Sequence, residues 1–254
     1  MRILAIDTSS QGGSVALCVD GGACEVIRLD APSSHLLDLG KAVSAALSAA
    51  SVGVDQIDRV AIVSGPGSFT GLRVGMAYVK GLYAARGLEV VAVTSLELLA
   101  RQAAGEGLPV SPMIDARKNE VYAALYDAPS HPSQIRSAAP DRDQAAALLP
   151  EPALVEEIAP CVVPPETHIA SIPGRPTLFV GSGAVRYRGQ IEKLFGMQAR
   201  FAAENDPDTR VLCRLAVSLE PLGPKDVITL EPLYVRPSDV KLKPLKGVRA
   251  YDRR

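Results

Sequence analysis

Apolar positions open the chain in three short runs, Arg2 to Asp7, Ser14 to Val19 and Cys24 to Leu29, separated by turns containing Gly12-Gly13 and Gly21-Gly22. Runs of this length between glycine-bearing turns predict three strands of an antiparallel meander. The period then changes. Leu36, Leu39, Val43, Leu47 and Ala50 recur at spacings of three and four behind Ser33 and Ser34, which predicts an amphipathic helix with one of these serines as its cap. Arg59 to Ser64 reads as a short buried strand, and Gly65-Pro66-Gly67 leads into a helix capped by Ser68 that runs to Arg86 and stops at Gly87. Glu89 to Val93 adds a strand, and Ser95 caps a third helix ending near Gly105. A meander followed by alternating strands and helices is an α/β lobe.

The pattern then restarts. Pro112-Met113-Ile114-Asp115 followed by Val121 to Leu125 repeats the strand, acidic turn and strand of Leu4-Ala5-Ile6-Asp7 and Val15-Ala16-Leu17, as an internal duplication would. Two such lobes describe the actin-like ATPase fold, of ribonuclease H-like type, that actin, sugar kinases and Hsp70 share, with nucleotide held between the lobes. The expected organisation is an N-terminal lobe over 1–107, a C-terminal lobe over 108–236 and a flexible basic tail over 237–254. Ten of the 20 prolines lie between Pro129 and Pro176, so 129–176 is expected to be an irregular insertion with one short helix around Asp141 to Leu149. Regular structure resumes with a strand over Thr177 to Val180, a helix after Gly183, and a helix capped by Asp206 with Pro207 at its first position.

Composition narrows the function classes. With 47% hydrophobic and 22% charged residues the chain is of globular type, and a net charge of −1 removes any whole-molecule attraction to nucleic acid. The four cysteines form no CxxC pair, so neither a disulfide framework nor a zinc knuckle is expected, and reduced thiols in a cytoplasmic protein are. No apolar run approaches the ~20 residues that a bilayer requires, and the N-terminus lacks the pattern of a secretion signal.

Three segments have the residue types for ligand chemistry. Asp7-Thr8-Ser9-Ser10 ends a strand with an acid and three hydroxyls aimed at one point, suited to phosphate and its magnesium or to closing an ordinary hairpin. Its duplicate, Asp115-Ala116-Arg117-Lys118-Asn119, has long cationic side chains where a phosphate-gripping turn wants small residues, although a positive site still attracts phosphate. Gly181-Ser182-Gly183 opens a helix and resembles the adenosine-binding stretch of the fold. The three histidines, His35, His131 and His168, form no helical metal pair, and no Gly-x-Ser-x-Gly elbow selects a nucleophile. In the second predicted helix Gly71, Gly75, Ala77 and Gly81 leave little bulk for a neighbour to clear, while Phe69, Arg73 and Lys80 share another side and include types enriched at interfaces.

Ile3 to Ser9, Gly65-Pro66-Gly67-Ser68-Phe69-Thr70-Gly71-Leu72-Arg73, Ile114-Asp115-Ala116-Arg117 with Glu120-Val121-Tyr122, and Pro232 to Arg236 together resemble the TsaB (YeaZ) family. This family is related to the glycoprotease-like TsaD proteins, whose metal-binding histidine pair is missing from this sequence. The resemblance implies a non-catalytic scaffold that binds TsaD, with TsaE joining, in the complex that adds threonylcarbamoyl to N6 of adenosine 37 in tRNAs reading ANN codons. It implies ATP and metal on the partner subunits and none here, tRNA met through the complex, and a homodimer when TsaD is absent. Interface candidates carried over are Leu36, Leu39 and Val43 on the first helix, and Phe69, Leu72, Arg73, Met76 and Lys80 on the second. Asp7, Thr8, Ser9, Ser10, Gly181, Ser182 and Gly183 are expected to be a vestigial nucleotide site. A nucleotide-dependent ATPase or kinase and a glycoprotease are the competing classes.

Overall fold

The computed structural model describes residues 1–10, 12–20, 24–29, 35–105, 107–127, 154–233 and 235, without the side chains of 35–37. The expected helix around Asp141 to Leu149, the basic tail 237–254 and the serine caps at 33 and 34 lie outside the described residues.

The first sheet is built from β1 (Arg2–Asp7), β2 (Ser14–Val19), β3 (Cys24–Arg28), β4 (Arg59–Val63) and β5 (Glu89–Val93), in the order β3-β2-β1-β4-β5. The hairpin strands are antiparallel, and β1, β4 and β5 run parallel. The second sheet comprises β6 (Val110–Asp115), β7 (Val121–Asp127), β8 (Val155–Val163), β9 (Thr177–Val180) and β10 (Ala199–Phe201). Its order, β8-β7-β6-β9-β10, and its strand directions repeat those of the first sheet. The molecule is thus a duplicated α/β unit of the actin-like type.

Helix α1 (His35–Ala49) buries Leu39, Val43 and Ala46 against the first sheet. Helix α2 (Phe69–Arg86) starts where the Ser68 hydroxyl accepts a bond from the Gly71 amide at 3.2 Å and ends at Gly87, whose φ of 65° suits glycine. Helix α3 (Ser95–Ala103) corrects one expectation: its cap is Thr94, which accepts from the Glu97 amide, while Ser95 Oγ donates to the Pro66 carbonyl at 2.6 Å. The part of 129–176 that is described is regular, contrary to expectation. It contains β8 and α4 (Pro165–Ser171). Pro160 fits because β8 lies at a sheet edge, and Pro165 opens α4, where no amide partner is needed. Helices α5 (Ser182–Arg186) and α6 (Arg188–Phe195) follow β9. Helix α7 (Thr209–Ser218) is capped by Asp208, not Asp206, so Pro207 stands before the cap; α8 (Pro224–Thr229) was not anticipated.

Sequence order and packing part company in the helix that follows the fifth strand of each sheet, α3 and α7. Helix α3 packs chiefly on β6, β7 and β9 of the second sheet, and α7 lies on β1, β2 and β4 of the first. Val211, Leu212 and Leu215 of α7 join Ile3, Ala5, Ala16, Val63 and Val91 in one apolar core, and Leu96 and Leu99 of α3 join Val110, Ala124 and Val180 in another. Buried Arg59 fastens α7 to the first sheet: its guanidinium donates to Glu89 at the start of β5 at 2.6 and 2.8 Å, and to the carbonyls of Ala216 in the last turn of α7 and Leu219 just past it. A C-terminal lobe spanning 108–236 therefore requires amendment, because residues 209–233 cover the first sheet.

The cysteine expectation also fails. Cys18 and Cys24 face each other in the β2–β3 register with Cα atoms 4.2 Å apart and are joined as a disulfide. A hairpin turn between them makes residues six apart in sequence opposite neighbours in space. Cys161 and Cys213 are free thiols.

Candidate functional site

The β1–β2 turn is packed from beneath by α2. Gly67, Gly71 and Gly75 leave no side chain between the helix and the turn; an added methyl would strike Ser9 and Thr8 backbone atoms at Gly67 and Gly71, and the Thr8 hydroxyl at Gly75. The Ser68 amide donates to the Ser9 carbonyl at 2.7 Å. These glycines thus serve contact within the lobe. The small-residue stripe does not continue on that face, since Ala77 is exposed and nothing lies within 4 Å of the place a methyl would take at Gly81.

Asp7 is 1% exposed, and its own turn occupies both carboxylate oxygens. Oδ1 accepts from the Ser9 amide at 2.7 Å and Ser9 Oγ at 2.6 Å, and Oδ2 accepts from Ser10 Oγ at 3.2 Å. Burial pushes its pKa above the ordinary carboxylate value; the Ser9 and Ser10 bonds pull the other way, and nearby Asp206 adds to the rise. Thr8 and Ser9 are buried as well. The acid is thus arranged to close a turn rather than to present a ligand.

In the second lobe the equivalent turn is open and cationic. Arg117, Lys118 and Asn119 take φ of 62°, 52° and 57°, and all three are exposed. Asp115 accepts from the Arg117 amide at 3.0 Å and pairs with the Arg186 guanidinium at 2.7 Å, which pushes the Arg186 pKa up. Gly181 and Gly183 abut Met113 and Ile114 of β6, the counterpart of the packing of α2 on Thr8, so close strand–helix contact accounts for them. The Gly181 amide donates to Asn205 Oδ1 at 2.8 Å, while Ser182 is exposed and its hydroxyl accepts from the Asp115 amide. Among the described residues, no three His, Cys, Asp or Glu side chains gather where they could hold a metal ion, and no helix is long and apolar enough to cross a membrane.

The interface candidates separate by burial. Leu39, Val43, Leu72 and Met76 are at most 3% exposed and belong to the first lobe's own interior, which corrects their assignment as outward contacts. The helix spacing that suggested a docking stripe is the one needed to cover the sheet. Leu36 lies on α1, and its side chain is outside the described residues. Phe69, 54% exposed, and Arg73 remain on the surface, with the Arg73 guanidinium 3.9 Å above the Phe69 ring. Shallow depressions flank this pair, one lined by Thr70, Val74 and Ala77, the other by Lys80 and by Leu230, Glu231 and Pro232 beyond α8. That C-terminal wall was not foreseen. The Pro232-to-Arg236 run carried the signal, and the Leu233 amide ties it to the Ser64 carbonyl beside the Gly65-Pro66-Gly67 loop.

Residues 26–218 match the family described as TsaD, tRNA N6-adenosine threonylcarbamoyltransferase. The chain belongs to this family. Within it the chain resembles the TsaB (YeaZ) members. It is 26% identical to the tRNA threonylcarbamoyladenosine biosynthesis protein TsaB of Bacillus subtilis (strain 168) over 248 residues, covering 96% of this chain and 97% of that protein. With TsaB of Escherichia coli (strain K12) it shares 37% identity over 128 residues, 50% of this chain and 55% of that one. The solved structure of YeaZ from Pseudomonas aeruginosa superposes with a TM-score of 0.70 at 27% identity, over 92% of this chain and 99% of that one.

Proposed function

We propose that this chain is a supporting, non-catalytic subunit in the biosynthesis of threonylcarbamoyladenosine in tRNA. It docks onto a TsaD protein through the outward side of α2, with TsaE joining the assembly, and pairs with itself through the same side when TsaD is absent. ATP and metal belong to the partner subunits in this reading, and tRNA is met in the complex.

The observation that carries the non-catalytic role is the Asp7 turn. A catalytic acid has to reach substrate, metal or nucleotide, whereas both Asp7 oxygens are engaged by Ser9 and Ser10 under a helix whose glycines let it close over them. Support for docking comes from Phe69 and Arg73, an aromatic and a guanidinium stacked on the surface, residue types enriched at protein interfaces. The test is association with the cognate TsaD. Phe69→Ala with Arg73→Glu is expected to weaken binding at least about 30-fold, as loss of a central anchor does, while thermal stability stays within about 0.5 kcal/mol because the side chains are exposed. Undiminished binding by this double variant would contradict the docking surface.

A further inference from the structure

The two copies of the acidic turn have diverged in opposite directions. The first is uncharged apart from its buried acid, and α2 packs against it. The second lifts Arg117 and Lys118 outward on left-handed backbone that non-glycine residues seldom adopt, and brings Arg186 of α5 beside them. Charge there is layered. The Asp115 side chain is 14% exposed, whereas the two guanidiniums it faces, at 3.9 Å for Arg117 and 2.7 Å for Arg186, are 67% and 46% exposed. One carboxylate thus orients two guanidiniums toward solvent and cancels only one of them. Counting half-buried Glu120, three cations at the turn stand against two acids. Over the whole chain the charges nearly balance, 27 Lys and Arg against 28 Asp and Glu. A local cationic cap on a chain with no net positive charge favours an anion that touches that place. A guanidinium held by a carboxylate behind it retains donors for a phosphate in front.

We propose that Arg117, Lys118 and Arg186 form a contact face for the phosphodiester backbone of an RNA. Given the functional reading above, on which this rests, that RNA is the tRNA held by the assembled complex. The face supplies position and affinity, not sequence selection, because phosphate contacts are the same for every base.

The experiment uses the full chain assembled with its TsaD and TsaE partners and an unmodified tRNA transcript, with affinity measured across a salt series. In the variant Arg117→Asn with Lys118→Asn, asparagine tolerates the left-handed backbone and the Asp115–Arg186 pair stays in place. The slope of log affinity against log salt should become shallower by about 1 to 2, with roughly tenfold weaker binding at low salt. Arg117→Lys, which keeps the charge, should retain the original slope. An assembled complex whose affinity and slope are unchanged in the double variant overturns this proposal alone. Failure of the unaltered chain to join the complex overturns the functional reading together with it.

Discussion

At Gly71 the space a methyl group would take is filled by the Thr8 carbonyl, while at Gly81, on the same helix, nothing lies within 4 Å. Gly71→Ala should therefore cost about 1–3 kcal/mol through overpacking against backbone. Gly81→Ala should instead stabilise the protein by about 0.5–1 kcal/mol, since it relieves the helix of glycine's conformational freedom. Urea unfolding of the two variants checks both signs. His168 offers a second test. It is 1% exposed, its Nε2 meets Ser111 Oγ at 2.8 Å, and burial pushes its pKa down to about 4. A base whose folded pKa is depressed takes its proton first in the unfolded chain, so stability is lost as pH falls from about 6.5 toward 4, by roughly 3 kcal/mol in all. Asp7, with its raised pKa, works in the opposite sense as pH falls. The measurement is accordingly the urea midpoint of the wild type against His168→Gln between pH 7.5 and about 4.5, where the variant's profile should be the flatter. This buried Ser–His pair left no mark in the sequence, because Ser111 and His168 lie on elements brought together only by the second sheet and α4.

At the scale of elements, α2 was the most legible part of the chain. Ser68, the Gly65-Pro66-Gly67 lead and Gly87 fix its ends by local chemistry, and the structure follows them residue by residue. Legibility failed where two local signals competed. Thr94 and Ser95 are both suitable caps, as are Asp206 and Asp208, and the choice was made by tertiary contacts: Ser95 is engaged by the Pro66 carbonyl, and the Asp208 amide is held by Gln102. Proline density misled for the described part of 129–176, since a proline on an edge strand or at a helix start breaks nothing. The candidate site was half legible. Phe69 and Arg73 were placed on the surface as their types suggested, whereas a three–four spacing cannot tell a helix's inner stripe from its outer one, and Leu72 and Met76 turned inward. Spacing along the chain hides the cysteine pair, because Cys18 and Cys24 meet across the β2–β3 hairpin. A bridge closing so short a loop should contribute about 2 kcal/mol through the unfolded chain. Thiol titration of the unfolded, unreduced protein should find Cys161 and Cys213 only, and Cys18→Ser with Cys24→Ser should lower the melting temperature by about 4–8 °C.

For the whole molecule, the repeated strand order was foreshadowed by two short matching segments, but the exchange of α3 and α7 between sheets was not, because no local pattern records which sheet a helix will cover. Residues 1–107 alone would expose the apolar face that Val211, Leu212 and Leu215 cover, so that fragment should aggregate or stay unfolded while the full chain unfolds in one cooperative step. A cooperatively folded 1–107 would contradict the exchange. The functional account requires the same integrity: a first lobe whose acidic turn is spent on its own structure, presenting α2 to a relative that performs the chemistry. The most direct measurement is threonylcarbamoyl transfer to tRNA by the cognate TsaD and TsaE, with and without this chain, alongside the chain by itself. The account predicts transfer that depends on adding the chain and none by the chain alone; full transfer in its absence, or transfer by the isolated chain, would contradict it.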